Sequence, residues 1–287
     1  MRFKTIWPRL LLMTCVVLSG GVTSEAANAA SIGYITGTSE AGGGAGNPWD
    51  NAQNDQALNV AFGEGNWDKL SFGNAVQDGI FTPSTYQVLY VDGGDSLGGE
   101  FRGFLDENRG SLESWVADGG SLFLNAARNT SPAPIDLGFG ATLINDAFSD
   151  TAAAVDPNHP IFNGPVGLTG SSFSGFSFSH DYVTGTDIAP LINDSLGQAV
   201  LAEQRFDSGL VLFGGLTTTN FQNPKPEVIA LRANILDYAA IEAGLNPTPG
   251  PLPEVPEDPR MSLLPILLIS GALLGRSYAR SKNRAVA

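Results

Sequence analysis

The pattern of apolar and polar positions changes character halfway along the chain. In the first half, short apolar runs alternate with longer segments of helical spacing. Ser31 to Ile35 is a short β-type run, and Gly37 to Gly46 is a Gly-rich loop. Asp50 is placed to N-cap a helix through Phe62, with Ala52, Leu58, Ala61 and Phe62 as its less polar positions. Tyr86 to Asp95, "YQVLYVDGGD", is an apolar strand that stops at a Gly turn, the pattern of a strand buried on both faces. Glu100 to Ala117 carries Phe101, Phe104, Leu105, Leu112, Trp115 and Val116 at helical spacing, with Gly110 as an expected interruption. After Asp118-Gly119-Gly120, the run Ser121 to Asn125 is the next strand. Strand, helix and strand in that order predict a right-handed βαβ unit.

The second half reads mostly as strands. Phe173 to Phe178 alternates, and "DIAPLI", "GQAVLAEQRF" and "GLVLFGG" follow. Asp207-Ser208-Gly209 is a hairpin turn between the last two. Pro226 to Gly244 is an amphipathic helix. Together these elements predict an α/β domain: three layers around a mostly parallel, doubly wound sheet of flavodoxin-like type, with additional antiparallel strands near the C-terminal end of the domain.

The flanks differ from this middle. Arg2, Lys4 and Arg9 precede an apolar run from Leu10 to Leu18, and Ala27-Asn28-Ala29 follows, so residues 1–29 read as a secretory signal peptide. Residues 30–245 form the expected domain. Residues 246–259 are a Pro-rich, semi-rigid spacer. Residues 260–287 hold a short apolar helix from Met261 to Gly275 and a basic tail. As a helix this run reaches about 22 Å, short of the ~30 Å hydrocarbon core, so the expectation is transient membrane insertion.

Val255-Pro256-Glu257-Asp258-Pro259, the apolar run and the basic end resemble the PEP-CTERM sorting signal. The family's Val-Pro-Glu-Pro motif is met except that its second proline falls one place late. That resemblance implies an exosortase-type processing enzyme as a partner. It also implies an exported location in the cell envelope, cell surface or extracellular matrix of a bacterium.

Composition narrows the partners further. The net charge is −14, and only seven of the fifteen basic residues are spread over the long middle of the chain: Lys69, Arg102, Arg109, Arg128, Arg205, Lys225 and Arg232. Phosphate backbones and anionic lipids are repelled by such a domain, so nucleic acid is excluded as a partner. Cations, neutral sugars and envelope or matrix polysaccharide remain. Cys15, the only cysteine, lies inside the signal segment. The exported domain therefore has no disulfide, thiolate nucleophile or cysteine metal ligand. Two histidines do not make a zinc set. No cofactor is expected, and calcium is the one candidate, through loops such as "DGGDSLGGE" with Asp92, Asp95 and Glu100.

The strings "YQVLYVDGGD", "LESWVADGGSLFLNAA", "DPNHPIFNGP" and "ALRANILDYA", in that order, resemble the class I glutamine amidotransferase-like superfamily, especially its ThuA-like branch. Active members of that superfamily place a nucleophilic cysteine on the turn after the strand corresponding to "SLFLN". Here the turn is Asn125-Ala126-Ala127-Arg128, so the resemblance implies that this chemistry is absent.

A ligand site in a doubly wound sheet belongs at the strand C-terminal ends. That rule selects Asp92, Asp95, Asn125, Arg128, His180 and Asp181. His180 beside Asp181 is a pair that orients a base or binds a polar ligand, and His159 is a capping turn residue. Trp49 and Trp67, beside Asp50 and Asp68, suit sugar contact, although packing at the core edge explains them equally well. The leading reading is a non-catalytic interaction domain. An extracellular carbohydrate-active hydrolase using carboxylates near Asp92, Asp95 and His180 is a second. A purely structural matrix protein is a third.

Overall fold

The computed structural model describes residues 31–38, 45–75, 80–129, 133–145 and 148–253. Its first half contains β1 (Ile32–Thr38), β2 (Ala45–Gly46), α1 (Gln53–Phe62), β3 (Asp68–Ser71), β4 (Val88–Asp92), α2 (Gly98–Ala117) and β5 (Ser121–Asn125). Strands then follow with no α-helix between them. They are β6 (Ile135–Gly138), β7 (Ala141–Ile144), β8 (Ser149–Ala154), β9 (Ser172–Ser179), β10 (Tyr182–Gly185), β11 (Ala189–Asp194), β12 (Ala199–Phe206), β13 (Gly209–Gly214) and β14 (Gln222–Asn223). The chain closes with α3 (Glu227–Glu242).

All fourteen strands join one sheet, whose main path runs β14-β9-β8-β11-β12-β13-β5-β4-β1-β2. The β3–β1, β1–β4, β4–β5 and β5–β13 pairs are parallel. The other nine pairings are antiparallel. The expected three-layer, mostly parallel flavodoxin-like sheet is therefore corrected to a mixed, mostly antiparallel sheet with three α-helices among the described residues. The physical reason lies in the connections. A parallel neighbour needs a crossover of a dozen or more residues, usually a helix, whereas short turns return the chain antiparallel. From β6 to β13 the connections carry no α-helix.

The central strands alternate between two apolar faces. Leu89, Val91, Leu122, Leu124, Val211 and Phe213 pack with Phe101, Phe104, Leu112 and Trp115 of α2. Val88, Tyr90, Phe123, Leu210 and Leu212 share the other core with Leu58 and Ala61 of α1 and Leu231, Ile235 and Leu236 of α3. Gly110 lies within α2, which runs unbroken, because the position is exposed and needs no side chain. Asp50 does not cap α1. It sits in a 3₁₀ turn at φ 48°, and Asn51 Oδ1 accepts the Gln53 N–H instead, at 3.0 Å. His159 Nδ1 accepts the Ile161 N–H at 3.4 Å at the head of a 3₁₀ turn.

The expected membrane helix has no counterpart among the described residues. Among the described residues no helix is long and apolar enough to cross a membrane. The apolar run Met261 to Gly275, the motif Val255 to Pro259 and the 1–29 segment lie outside the described residues.

Asp237 on α3 is buried, and its Oδ1 has no hydrogen-bond partner among the described residues. Burial pushes its carboxyl from the ordinary 3.8 up to about 6. Between those values the folded chain holds a proton that the unfolded chain has released. Stability from this group therefore falls as pH rises through the window, and the cost is complete above it. Asp237→Asn should flatten the pH dependence and gain on the wild type by about 1–3 kcal/mol near neutrality. Urea titrations at several pH values would show this, and parallel curves for the two proteins would refute it.

Candidate functional site

Strand register brings Asp92, Asn125 and Gly214 level at the C-terminal ends of β4, β5 and β13. The position is the one expected for a site, yet Asp92 is wrapped in hydrogen bonds. Its Oδ2 accepts from Tyr90 Oη at 2.6 Å, Asn54 Nδ2 at 2.8 Å and Asn125 Nδ2 at 3.2 Å. Its Oδ1 accepts from the Gly94 N–H at 2.9 Å. Tyr90 Oη in turn accepts from Arg232 Nη1 at 2.7 Å. Burial raises the Asp92 carboxyl above its ordinary range, opposed chiefly by the Arg232 charge. Asn125 clamps the chain just after β13: Nδ2 donates to Leu216 O, and Oδ1 accepts the Leu216 N–H, both at 3.0 Å. These two predicted site residues hold the sheet edge together.

Arg128 and Asp181 form a second buried unit, with both side chains at 0% exposure. Arg128 Nε and Nη2 donate to Asp181 Oδ1 at 2.8 and 2.5 Å, and the Arg128 N–H donates to Oδ2 at 2.6 Å. Asn145 Nδ2 adds 3.1 Å to Oδ2. Burial raises the Asp181 carboxyl, and the bonds to Arg128 oppose it. Gly215 lies directly against the Asp181 backbone, where a Cβ would collide with its carbonyl. The neighbours His180 and Asp181 thus do not act as a dyad. Asp181 faces Arg128, while His180 faces a cavity.

That cavity, about 630 Å³, is lined by Trp49, Phe148, Phe176 and Phe221 with Asn129, Asp150, Ser177 and His180. Trp49 and Phe221 lie 5.4 Å apart at 66°, and Trp49 and His180 lie 5.9 Å apart at 86°. Phe148 covers the His180 ring at 4.4 Å. Burial lowers the His180 pKa, partly offset by a backbone hydrogen bond to Arg128 and by the Asp95 charge. Asp95 stands beside the pocket rather than in its lining, accepting from Asn129 Nδ2 at 2.7 Å.

Local backbone geometry sets the rings in place. Trp49 adopts φ 53°, ψ 26°. This left-handed conformation costs a bulky residue on the order of 1–2 kcal/mol and concentrates at ligand sites. Ser177 at φ 72° breaks the alternation of β9. Phe173 and Phe178 both point inward, and Phe176 is left 87% exposed at the pocket rim.

Of the predicted site residues, only His180 lines the cavity. Phe148, Phe176 and Phe221 escaped the sequence reading as site residues: Phe176 belongs to the alternating run Phe173 to Phe178, which signals only a strand, and Phe148 and Phe221 stand singly among mostly polar neighbours. The two tryptophans separate. Trp67 packs against the core and donates Nε1–H to Asn59 Oδ1 at 2.8 Å, whereas Trp49 lines the pocket. Ala126, in the turn after β5, is buried among apolar side chains. Asp92, Asp95 and Glu100 do not converge as the calcium reading requires. Glu100 accepts from Thr38, and among the described residues no group of three or more His, Asp or Glu gathers to hold a metal ion.

No family model matches the chain, and no curated protein does. Among solved structures it is similar to a β-galactosidase from Bacillus circulans sp. alkalophilus, at 14% identity and TM-score 0.47, covering 77% of this chain and 32% of that one. It is similar to an exo-β-1,4-mannosidase from an Opitutaceae bacterium, at 14% identity and TM-score 0.42, covering 75% and 34%. A cytoplasmic protein from Salmonella typhimurium matches at 13% identity and TM-score 0.44, covering 72% and 98%. The chain thus spans about a third of the length of both glycosidases. With TM-scores under 0.5, none of these likenesses bears on function.

Proposed function

We propose that this chain is a non-catalytic binding domain that seats a small ligand, or one unit of a larger one, in the pocket of Trp49, Phe148, Phe176 and Phe221. The observation that carries the reading is that pocket: four aromatic side chains around an open cavity. Aromatic lining with a few polar groups is the usual make-up of a ligand site. Support comes also from the carboxylates. Asp92 and Asp181 have their oxygens bonded internally, and a group that must accept or release a proton in a reaction needs a free lone pair directed at substrate. The setting we propose is the cell envelope or extracellular matrix, an expectation that rests on the terminal segments of the sequence.

Differential scanning fluorimetry of the full chain, against panels of matrix glycans and small organic cations, tests this reading. A saturable rise in melting temperature is expected for at least one class of compound, and its loss in Trp49→Ala and Phe221→Ala. The same panels should show no turnover. Release of reducing sugar by the wild type that Asp150→Asn removes would overturn the reading in favour of a hydrolase.

A further inference from the structure

The class of ligand follows from what the pocket walls offer, granted that the pocket is a ligand site. A second cavity of about 290 Å³ adjoins the aromatic one and shares Phe148 and Asp150 with it. Its lining adds Asp194, Thr151 and Leu196. Asp194 is 8% exposed. Its Oδ1 accepts the N–H groups of Leu196 and Gln198 at 2.9 and 2.8 Å, while its buried Oδ2 has no partner among the described residues. Asp150 Oδ1 accepts the Ser177 N–H at 3.1 Å. Neither carboxylate forms an ion pair among the described residues. His180 is 6% exposed, and its Nδ1 is likewise without a partner.

These walls are one-sided. Their charge is all negative, since no lysine or arginine lines either cavity, and their donors are few: the Ser149 and Ser177 hydroxyls donate to the Thr151 and Ser179 carbonyls, which leaves the hydroxyls of Thr151 and Ser195 beside the rings and carboxylates. Burial holds the His180 ring below its ordinary pKa, so it is neutral near pH 7 and adds no opposing charge. One N–H of the Asn129 amide is already directed to Asp95, which leaves the other as a single donor in this cavity. A neutral sugar brings hydroxyl oxygens that need donors as well as acceptors, and such a wall leaves much of that capacity unmet. The rings also stand at steep angles to one another, a box rather than a single flat platform. Aromatic faces and carboxylates both attract positive charge, and rings around a cation are the common mode for alkylated ammonium groups.

We propose that the two cavities together take an alkylammonium ligand, its N-alkyl head among Trp49, Phe148 and Phe221 and a hydrogen-bond donor reaching Asp194 past Asp150. The probes are choline, tetramethylammonium and 3,3-dimethylbutan-1-ol, the uncharged isostere of choline, titrated calorimetrically into the full chain at low ionic strength. Choline should bind at least about tenfold tighter than the isostere, since the two differ in charge and hardly in shape. Asp150→Asn should weaken both cations and leave the isostere unchanged. Asp194→Asn should weaken choline and spare tetramethylammonium, which has no donor. Phe176→Ala, at an exposed position, should weaken all three without a folding defect.

Equal affinity for choline and its isostere, or choline binding untouched by Asp150→Asn, would overturn the inference. If neither cation binds while a neutral glycan does, and Trp49→Ala abolishes that binding, the ligand class is wrong and the pocket reading stands. Binding of any probe that survives both Trp49→Ala and Phe176→Ala in folded protein overturns the two together.

Discussion

Arg128→Ala is expected to lower the stability of the folded chain by about 3–5 kcal/mol, because it leaves the Asp181 carboxylate charged and buried without its counter-ion. The pair is fully enclosed, and one guanidinium makes two bonds to a single carboxylate oxygen. Nη1 also donates to Ala133 O at 2.8 Å, a carbonyl that keeps its bond from Arg102 Nη2 at 2.8 Å, so the loss falls on Asp181. Urea denaturation at pH 7 measures the loss. The double variant Arg128→Met with Asp181→Asn should recover part of it, since the amide oxygen still accepts the Arg128 backbone N–H and no charge remains inside. The coupling should be about 1–3 kcal/mol, as for contacting residues in one network. A loss below about 1 kcal/mol would mean that the pair does not tie these segments together. The consequence reaches the pocket, since the same pair joins the segment after β5 to the β9–β10 turn that carries His180. Ligand affinity should therefore fall in Arg128→Ala even where the protein remains folded.

What could be read from the sequence divides along the same line. β4, α2 and β5 are legible because their signal is local: two apolar runs, a helical repeat and a Gly-Gly stop. The parallel pairing of β13 with β5 is not, because some eighty residues intervene and only the whole antiparallel excursion returns the chain to that edge. Prediction placed the site at the C-terminal ends of the central strands and chose the polar residues there. Those are the residues a buried edge must satisfy internally, so Asp92, Asn125, Arg128 and Asp181 became structural. The pocket is made by side chains from five separate segments. Two of them, Trp49 and Phe176, owe their direction to positive-φ backbone at Trp49 and Ser177. No periodicity rule signals a single left-handed residue other than glycine.

Arg232→Met is the second change with a large expected effect, about 3–5 kcal/mol near neutrality. Arg232 is 1% exposed on α3, reaches through the core to Tyr90 Oη and Thr217 O at 2.7 Å each, and lies 5.8 Å from the centre of the Phe123 ring. Methionine keeps much of the volume and loses every polar contact. What distinguishes this variant from an ordinary core defect is its pH dependence. The Arg232 charge is the chief influence opposing the burial that raises the Asp92 carboxyl. Without it the folded-state pKa rises further, so the variant binds a proton at a pH where the wild type does not. Its deficit should then narrow as pH falls through that raised value, because protonation removes the uncompensated charge. Stability curves for both proteins between about pH 8 and about pH 5 would register the narrowing. A deficit that stayed constant across the range would assign Arg232 to packing and hydrogen bonding alone, with the Asp92 charge held by its amide and hydroxyl donors.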